Sequence, residues 1–139
     1  MGWPTGILLD ATKGSPTDLN INDSSLRIRN CIIAGCGIAV SYAASTSAPT
    51  GATTASIQAW FTTPYFGNTI LATNDDAKFV NPFNYNLPDF GPFGTSPAAT
   101  GANFTDAKLS TGFSVVTFRG AIAPAGADAT WHKGWTKFN

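Results

Sequence analysis

Leu26–Tyr42, LRIRNCIIAGCGIAVSY, reads as three short apolar segments separated by tight corners. Leu26 and Ile28 alternate with Arg27 and Arg29, Asn30 interrupts, Cys31–Ala34 is a second apolar run, and Gly35–Gly37 turns the chain before Ile38–Tyr42 resumes. Alternation and short apolar runs bounded by Asn and Gly indicate strands. Asn and Gly tolerate the left-handed backbone that such corners need. A strand–corner–strand coil predicts a mainly β fold, a partial right-handed parallel β-helix. Ile28, Cys31, Ile33, Ile38 and Val40 are expected to point into its core, and the strands to pair in parallel with neighbouring coils.

Composition agrees with a strand- and loop-rich chain. Charged residues are 12% of the 139 residues, about half the usual share. All eight acids are aspartates, which favour turns over helices. The formal net charge is zero and the lysines are scattered, so neither nucleic acid nor an anionic membrane is an expected partner. The longest nearly apolar run, Cys31–Val40, is far shorter than the roughly 20 residues a spanning helix needs, and no leader of export type precedes the first turn. At this length one domain, 1–139, is expected to bury roughly 68% of its unfolded surface. Low charge, the absence of Glu and abundant Thr suit an extracellular or outer-surface location for the parent protein. Met1 directly before Gly2-Trp3-Pro4 reads as a start inside a fold, hence a fragment of something larger.

Three regions follow. Residues 6–42 hold the coil strands, with the polar Ala11–Ser25 connection as a surface loop. Residues 53–63 form one short helix, with Thr caps at its start, Ile57, Trp60 and Phe61 at helical spacing, and Pro64 past its end. Residues 65–139 are irregular strands and a Gly-, Pro- and aromatic-rich cap.

The stretches at 1–10, 26–35, 60–71, 93–113 and 115–139 resemble, in that order, the C-terminal portion of a large family of uncharacterised surface proteins from Bacteroidetes-type bacteria. The pieces that carry the resemblance are Ser96-Pro97, Gly101-Ala102, Phe104, Phe113, Arg119-Gly120-Ala121 and the ending Gly134-Trp135-Thr136-Lys137-Phe138. The resemblance implies a parallel β-helix closed by these motifs, with upstream coils and a sorting tail beyond this chain, and it brings no catalytic residues. A structural cap built on Arg119, Trp131, Trp135 and Phe138, with Phe113 and Phe118, fits the need to cover the unpaired edge of a last coil. Arg119 is expected to bond exposed carbonyls or Asp128.

The catalytic inventory is small. His132 is the single histidine, so any triad rests on it together with an acid such as Asp128. Gly94-Thr95-Ser96-Pro97-Ala98 lacks the second glycine of a nucleophile elbow and reads as a turn. Asp75 and Asp76 offer oxygen ligands for calcium, yet an Asp-capped turn explains them too. Cys31 and Cys36 either form a disulfide across the Gly35 corner or are two small buried residues.

Three functions are consistent with these residues. The favoured one is a non-enzymatic module of a bacterial surface protein, touching glycan or another adhesion partner through Tyr42, Trp60, Tyr65, Phe66 and Tyr85. The second is a cation-dependent or His132-dependent hydrolase of an ester, lactone or glycoside. The third is a purely structural cap that self-associates through its N-terminal coil edge.

Overall fold

The computed structural model describes residues 2–14, 16–47 and 50–133, and the chain divides into two compact units, Met1–Asn74 and Asp75–Asn139. In the first unit the order is β1 (Thr5–Asp10), α1 (Pro16–Asn22), β2 (Ile32–Ala34), β3 (Ile38–Ala43), α2 (Thr54–Phe61), a 3-10 turn (Pro64–Phe66) and β4 (Thr69–Leu71).

Strand pairing in this unit is parallel. β1 lies beside β3, with Ile7 opposite Val40 and Leu9 opposite Tyr42, and β2 lies beside β4, with Ile33 opposite Ile70. The corner between β2 and β3 follows the sequence reading: Gly35 has φ +60° and Asn30, at the preceding bend, φ +55°. No side chain fits at Gly35, because a Cβ there would stand 2.3 Å from Asn74 Oδ1 and 2.8 Å from the Asn74 backbone nitrogen.

The β-helix expectation is nevertheless overturned. Every sheet among the described residues has two strands, and none is closed or continues as a solenoid. The physical reason lies between the strands. After β1 the chain forms α1, and after β3 it forms a loop and α2, so helices occupy the connections that a solenoid would use for further rungs. Asp10 and Asp23 bracket α1 with Asx turns, their Oδ1 atoms accepting from Thr12 N and Ser25 N at 2.8 Å each. The expected 11–25 loop is therefore helical over Pro16–Asn22, its turn residues lying at the two ends. Between them Pro16 opens a helical turn that needs no N–H from it, and Ile21 is buried.

The core of the first unit gathers Leu9, Ile21, Ile33, Ala39, Val40, Ile57 and Phe61. Of the five expected core positions, Ile33 and Val40 are buried and Ile28 packs partly against them, whereas Cys31 is exposed and Ile38 is 44% exposed. Ile38 opposes Thr5 at the corner end of its ladder, beyond the rim of the core, so its apolar character went into the pattern without burial.

Helix α2 is written as the sequence predicts. Thr53 accepts from Ser56 N through Oγ1 (3.1 Å) and Ser56 Oγ accepts from Thr53 N (2.9 Å), a reciprocal capping box. Ile57 and Phe61 face inward, and Gln58 Nε2 donates to Val40 O at 3.1 Å, which fixes the helix on β3. The chain leaving α2 is then held by Asn68. Its Nδ2 donates to Ile28 O (2.7 Å) and Phe61 O (2.9 Å), and its Oδ1 accepts from Cys31 N (2.8 Å).

The second unit has one antiparallel pair, β5 (Phe79–Asn81) with β6 (Asp89–Pro92), and 3-10 turns at Asp75–Ala77, Pro97–Ala99, Ala107–Leu109 and Ala127–Ala129. With no solenoid among the described residues there is no solenoid end for it to close. Phe113 is exposed and Trp131 is 47% exposed, its indole N–H donating to Ala121 O at 2.6 Å, so neither forms the expected apolar cover. Trp135 and Phe138, the other cap residues read from sequence, lie outside the described residues.

Two substitutions probe this arrangement. Asn68→Ala strips one acceptor and two donors from three separate segments and is expected to cost about 2–4 kcal/mol by denaturant unfolding. Gly35→Ala combines a left-handed backbone, worth about 1–2 kcal/mol for an L-residue, with a collision against Asn74, and should exceed that figure. Asn30→Gly, which needs no new space, should shift stability by less than about 1 kcal/mol.

Candidate functional site

The side chains singled out for chemistry in the sequence do not converge. Asp75 and Asp76 open a 3-10 turn in which Lys78 N donates to Asp75 O (2.9 Å), and both are exposed. Among the described residues no three His, Cys, Asp or Glu side chains gather as metal ligands. Ser96 is buried. Its Oγ donates to Ala77 O (2.6 Å) and accepts from Ala98 N (3.0 Å), so it caps the turn at Pro97–Ala99 and is withdrawn from nucleophilic use.

His132 is half-buried with its ring edge-on to Trp131, centroids 5.9 Å apart. Asp128 is exposed in the turn at 127–129, and its backbone carbonyl accepts from Ala123 N (3.2 Å). The Arg119 guanidinium packs over Gly101, where a Cβ would come within 2.3 Å of Nη2, while Arg119 N donates to Ala98 O (2.8 Å). Cys31 and Cys36 are not joined. Their thiols donate to Arg29 O (3.2 Å) and Ala34 O (3.7 Å), and only Cys36 packs against the core.

Two constellations do form in the first unit. The first, which sequence reasoning missed, is a buried polar cluster around Asp18, 1% exposed on α1. Asp18 Oδ2 accepts from the Tyr42 hydroxyl (2.5 Å) and from the Thr50 hydroxyl, tying α1 to β3 and to the loop before α2. Oδ1 has no hydrogen-bond partner among the described residues. Because the phenol proton is donated to a carboxylate, ionisation of Tyr42 is resisted, and desolvation adds to the effect; both hold its pKa above the ordinary value near 10. The only sequence signal was an aspartate in an otherwise loop-like run. Its partners stand 24 and 32 residues away.

The second constellation lies at the surface, where α2 ends. Trp60 and Phe66 meet edge-on with centroids 5.4 Å apart, and Phe66 meets Tyr65 edge-on at 5.5 Å. Phe66 is buried; Tyr65, its neighbour in the same 3-10 turn, is 64% exposed. The Arg29 guanidinium sits over the Tyr65 ring with Cζ 4.9 Å from the centroid. Asn30 N donates to Phe66 O (2.8 Å), so the backbones carrying Arg29 and Tyr65 are joined one residue away from each.

Of the five aromatics expected to meet a partner, Tyr42 is taken up by Asp18 and Phe66 by the interior, while Trp60 is partly covered. Tyr85 is the most exposed, on the loop between β5 and β6. Tyr65 alone combines exposure with a fixed ring plane and an adjacent cation.

The Asp18 cluster is a structural anchor: its carboxylate is buried and engaged by the Tyr42 and Thr50 hydroxyls. Asp18→Ala removes the shared acceptor of the Tyr42 and Thr50 hydroxyls and is expected to lower stability by about 1–3 kcal/mol in denaturant unfolding. Raising the Tyr42 pKa in the folded state gives stability that is complete below pH ~10 and is lost as pH climbs through the folded value. Tyr42→Phe should therefore show a shallower loss of stability above pH ~10 than the wild type, measured as denaturant midpoints across that range. Comparison with protein-family models, with curated proteins and with solved structures returned no match, so function has to be argued from these two sites.

Proposed function

We propose that this chain is a non-enzymatic contact module of a bacterial cell-surface protein and that it holds glycan against the exposed face of Tyr65. The observation that carries the reading is a large aromatic ring left in solvent while its orientation is fixed by Phe66, itself seated on Trp60. A pyranose ring presents C–H groups on one side and hydroxyls at its rim. Packing that side on an aromatic removes apolar area from water, and a ring already held in place loses little conformational freedom on binding. The surface-protein resemblance, carried by motifs such as Arg119-Gly120-Ala121, points to the same setting.

A second reading has its own observation. β1 pairs with β3 on one side, and its other edge has no strand partner among the described residues, with Leu8 of β1 exposed. Unpaired edges of this kind recruit strands from other chains. Self-association through β1 is compatible with glycan contact at Tyr65, which lies on a different element.

Tyr65→Ala is expected to weaken retention in affinity electrophoresis through a panel of insoluble and soluble polysaccharides by about tenfold, with circular dichroism and melting temperature unchanged. Failure of the wild type to be retarded by any polysaccharide, or turnover of a glycoside or ester abolished by His132→Ala, overturns the contact reading. For the edge, light scattering at tens of micromolar should give a dimer or larger species, and Leu8→Lys should return it to monomer; a monodisperse wild-type monomer removes the self-association reading.

A further inference from the structure

The two long strands of the first unit differ in what meets their backbones. β3 is answered by α2: Val40 O accepts from Gln58 Nε2 (3.1 Å) and Tyr42 N donates to Thr54 Oγ1 (3.3 Å). Those bonds occupy groups that a further strand would need. Along β1 the backbone alternates. Ala11 N donates to Ala43 O within the ladder, whereas Asp10 O, one residue earlier, accepts from the Thr17 hydroxyl (3.0 Å) outside it. By the same alternation the N–H and C=O of Leu8 face outward. Among the described residues nothing outside the ladder bonds them, and the Leu8 side chain is itself 55% exposed. Natural edges are blunted by shortness, by Lys or Pro, or by bulges. β2, β4 and β5 have three residues each and β6 ends on Pro92, but β1 runs for six, TGILLD, with neither Lys nor Pro.

Resting on the self-association reading, we infer that the partner of this edge is β1 of a second copy, laid antiparallel about a two-fold axis that passes at Leu8. On that axis Leu8 meets the partner's Leu8 in both backbone and side chain. Its N–H donates to the carbonyl of the partner's Leu8 and its own carbonyl accepts in return, while the two exposed side chains cover each other on one face. Asp10 then lies opposite the partner's Gly6, which has no side chain to displace. The two Asp10 residues stand about 14 Å apart along the strands, so like charges do not face each other. β3, the other six-residue strand, is a poorer partner, because a head-to-tail stack of β1 on β3 would have to break the bonds from Gln58 and Thr54. The antiparallel pair breaks none of them and closes at two copies.

The test places single cysteines in a chain whose own thiols are removed by Cys31→Ser and Cys36→Ala, and oxidises it at tens of micromolar. A hydrogen-bonded antiparallel pair sets its α-carbons about 5.5 Å apart, inside the range a disulfide spans, so Leu8→Cys should run mostly as covalent dimer on a non-reducing gel. Thr5→Cys, whose own copy would lie about 20 Å away along the strands, should stay uncrosslinked. Hydrogen exchange of the unaltered chain supplies a second measurement: protection of the Leu8 amide should rise with protein concentration. Should the thiol-free chain fail to fold, this measurement decides by itself, and a dimer whose Leu8 amide stays unprotected overturns the inference. A dimer in which Leu8→Cys does not crosslink, or in which Thr5→Cys crosslinks as readily, overturns the two-fold arrangement and leaves self-association standing. A monodisperse monomer with no rise in protection removes both.

Discussion

The Asn68 amide joins three parts of the first unit that are far apart in sequence: the end of α2 through Phe61 O, the arginine-bearing bend through Ile28 O, and the start of β2 through Cys31 N. An amide suits that place because it offers two donors and an acceptor from one rigid plane. A carboxylate would set negative charge against two carbonyls, and an aliphatic residue would satisfy none of the three groups. From this point β4 begins beside β2, with Thr69 N donating to Cys31 O at 2.9 Å, so the register of that ladder is set by the residue just before it.

Asp18 does the corresponding work on the other limb. A seven-residue helix is too short to persist by its own hydrogen bonds, and its retention depends on tertiary contacts. Ile21 supplies the apolar one. Asp18, gripping Tyr42 and Thr50, supplies a polar one that also restrains the loop leading into α2. A buried carboxylate is a costly way to make such a link unless its acceptor capacity is met by donors, and two hydroxyls meet it on Oδ2 alone. The two anchors, one amide and one carboxylate, fix different ends of a core of seven buried side chains.

How much of this could be read in advance follows from the range of each interaction. The Thr cap of α2 is local and the corner at Gly35 is a local backbone demand, so both were legible, while the return bond from Ser56 that completes the capping box was not read. Ile33 and Val40 were legible as core. Helix α1 was not, because Asp10, Asp23, Thr, Ser and Gly around it dominate any local reading, while the burial that stabilises it comes from β3 and the loop beyond. The apolar runs on either side of Gly35 correctly suggested parallel strands, whereas the alternating Leu26–Arg29 segment forms no strand; the pattern also suggested a solenoid, since a strand–corner–strand unit looks alike whether its ladders end at two strands or continue. What decided the matter was the helical use of the connections after β1 and β3, one of which had read as loop. For the surface site, Tyr65 was recognisable as a candidate but Arg29 was not, because an arginine alternating with apolar residues reads as a solvated strand face until Asn68 and Phe66 bring the two segments together.

The position of Tyr65 outside the core matters for how the unit can carry a function. Phe61, fully buried, and Tyr65, largely exposed, are four residues apart, and the 3-10 turn at Pro64–Phe66 separates their duties. Pro64 stops α2 from continuing, Gly67 at φ +65° lets the chain turn back toward β4, and between them only one ring, Phe66, needs to enter the interior for the turn to be fixed. The adjacent ring is then presented to solvent on a rigid support without being needed for folding. Tyr65 can change while the apolar core stays intact, whereas the same freedom is denied to Asn68 and to the backbone flanking Arg29, where Ile28, Asn30 and Cys31 are hydrogen-bonded into the fold.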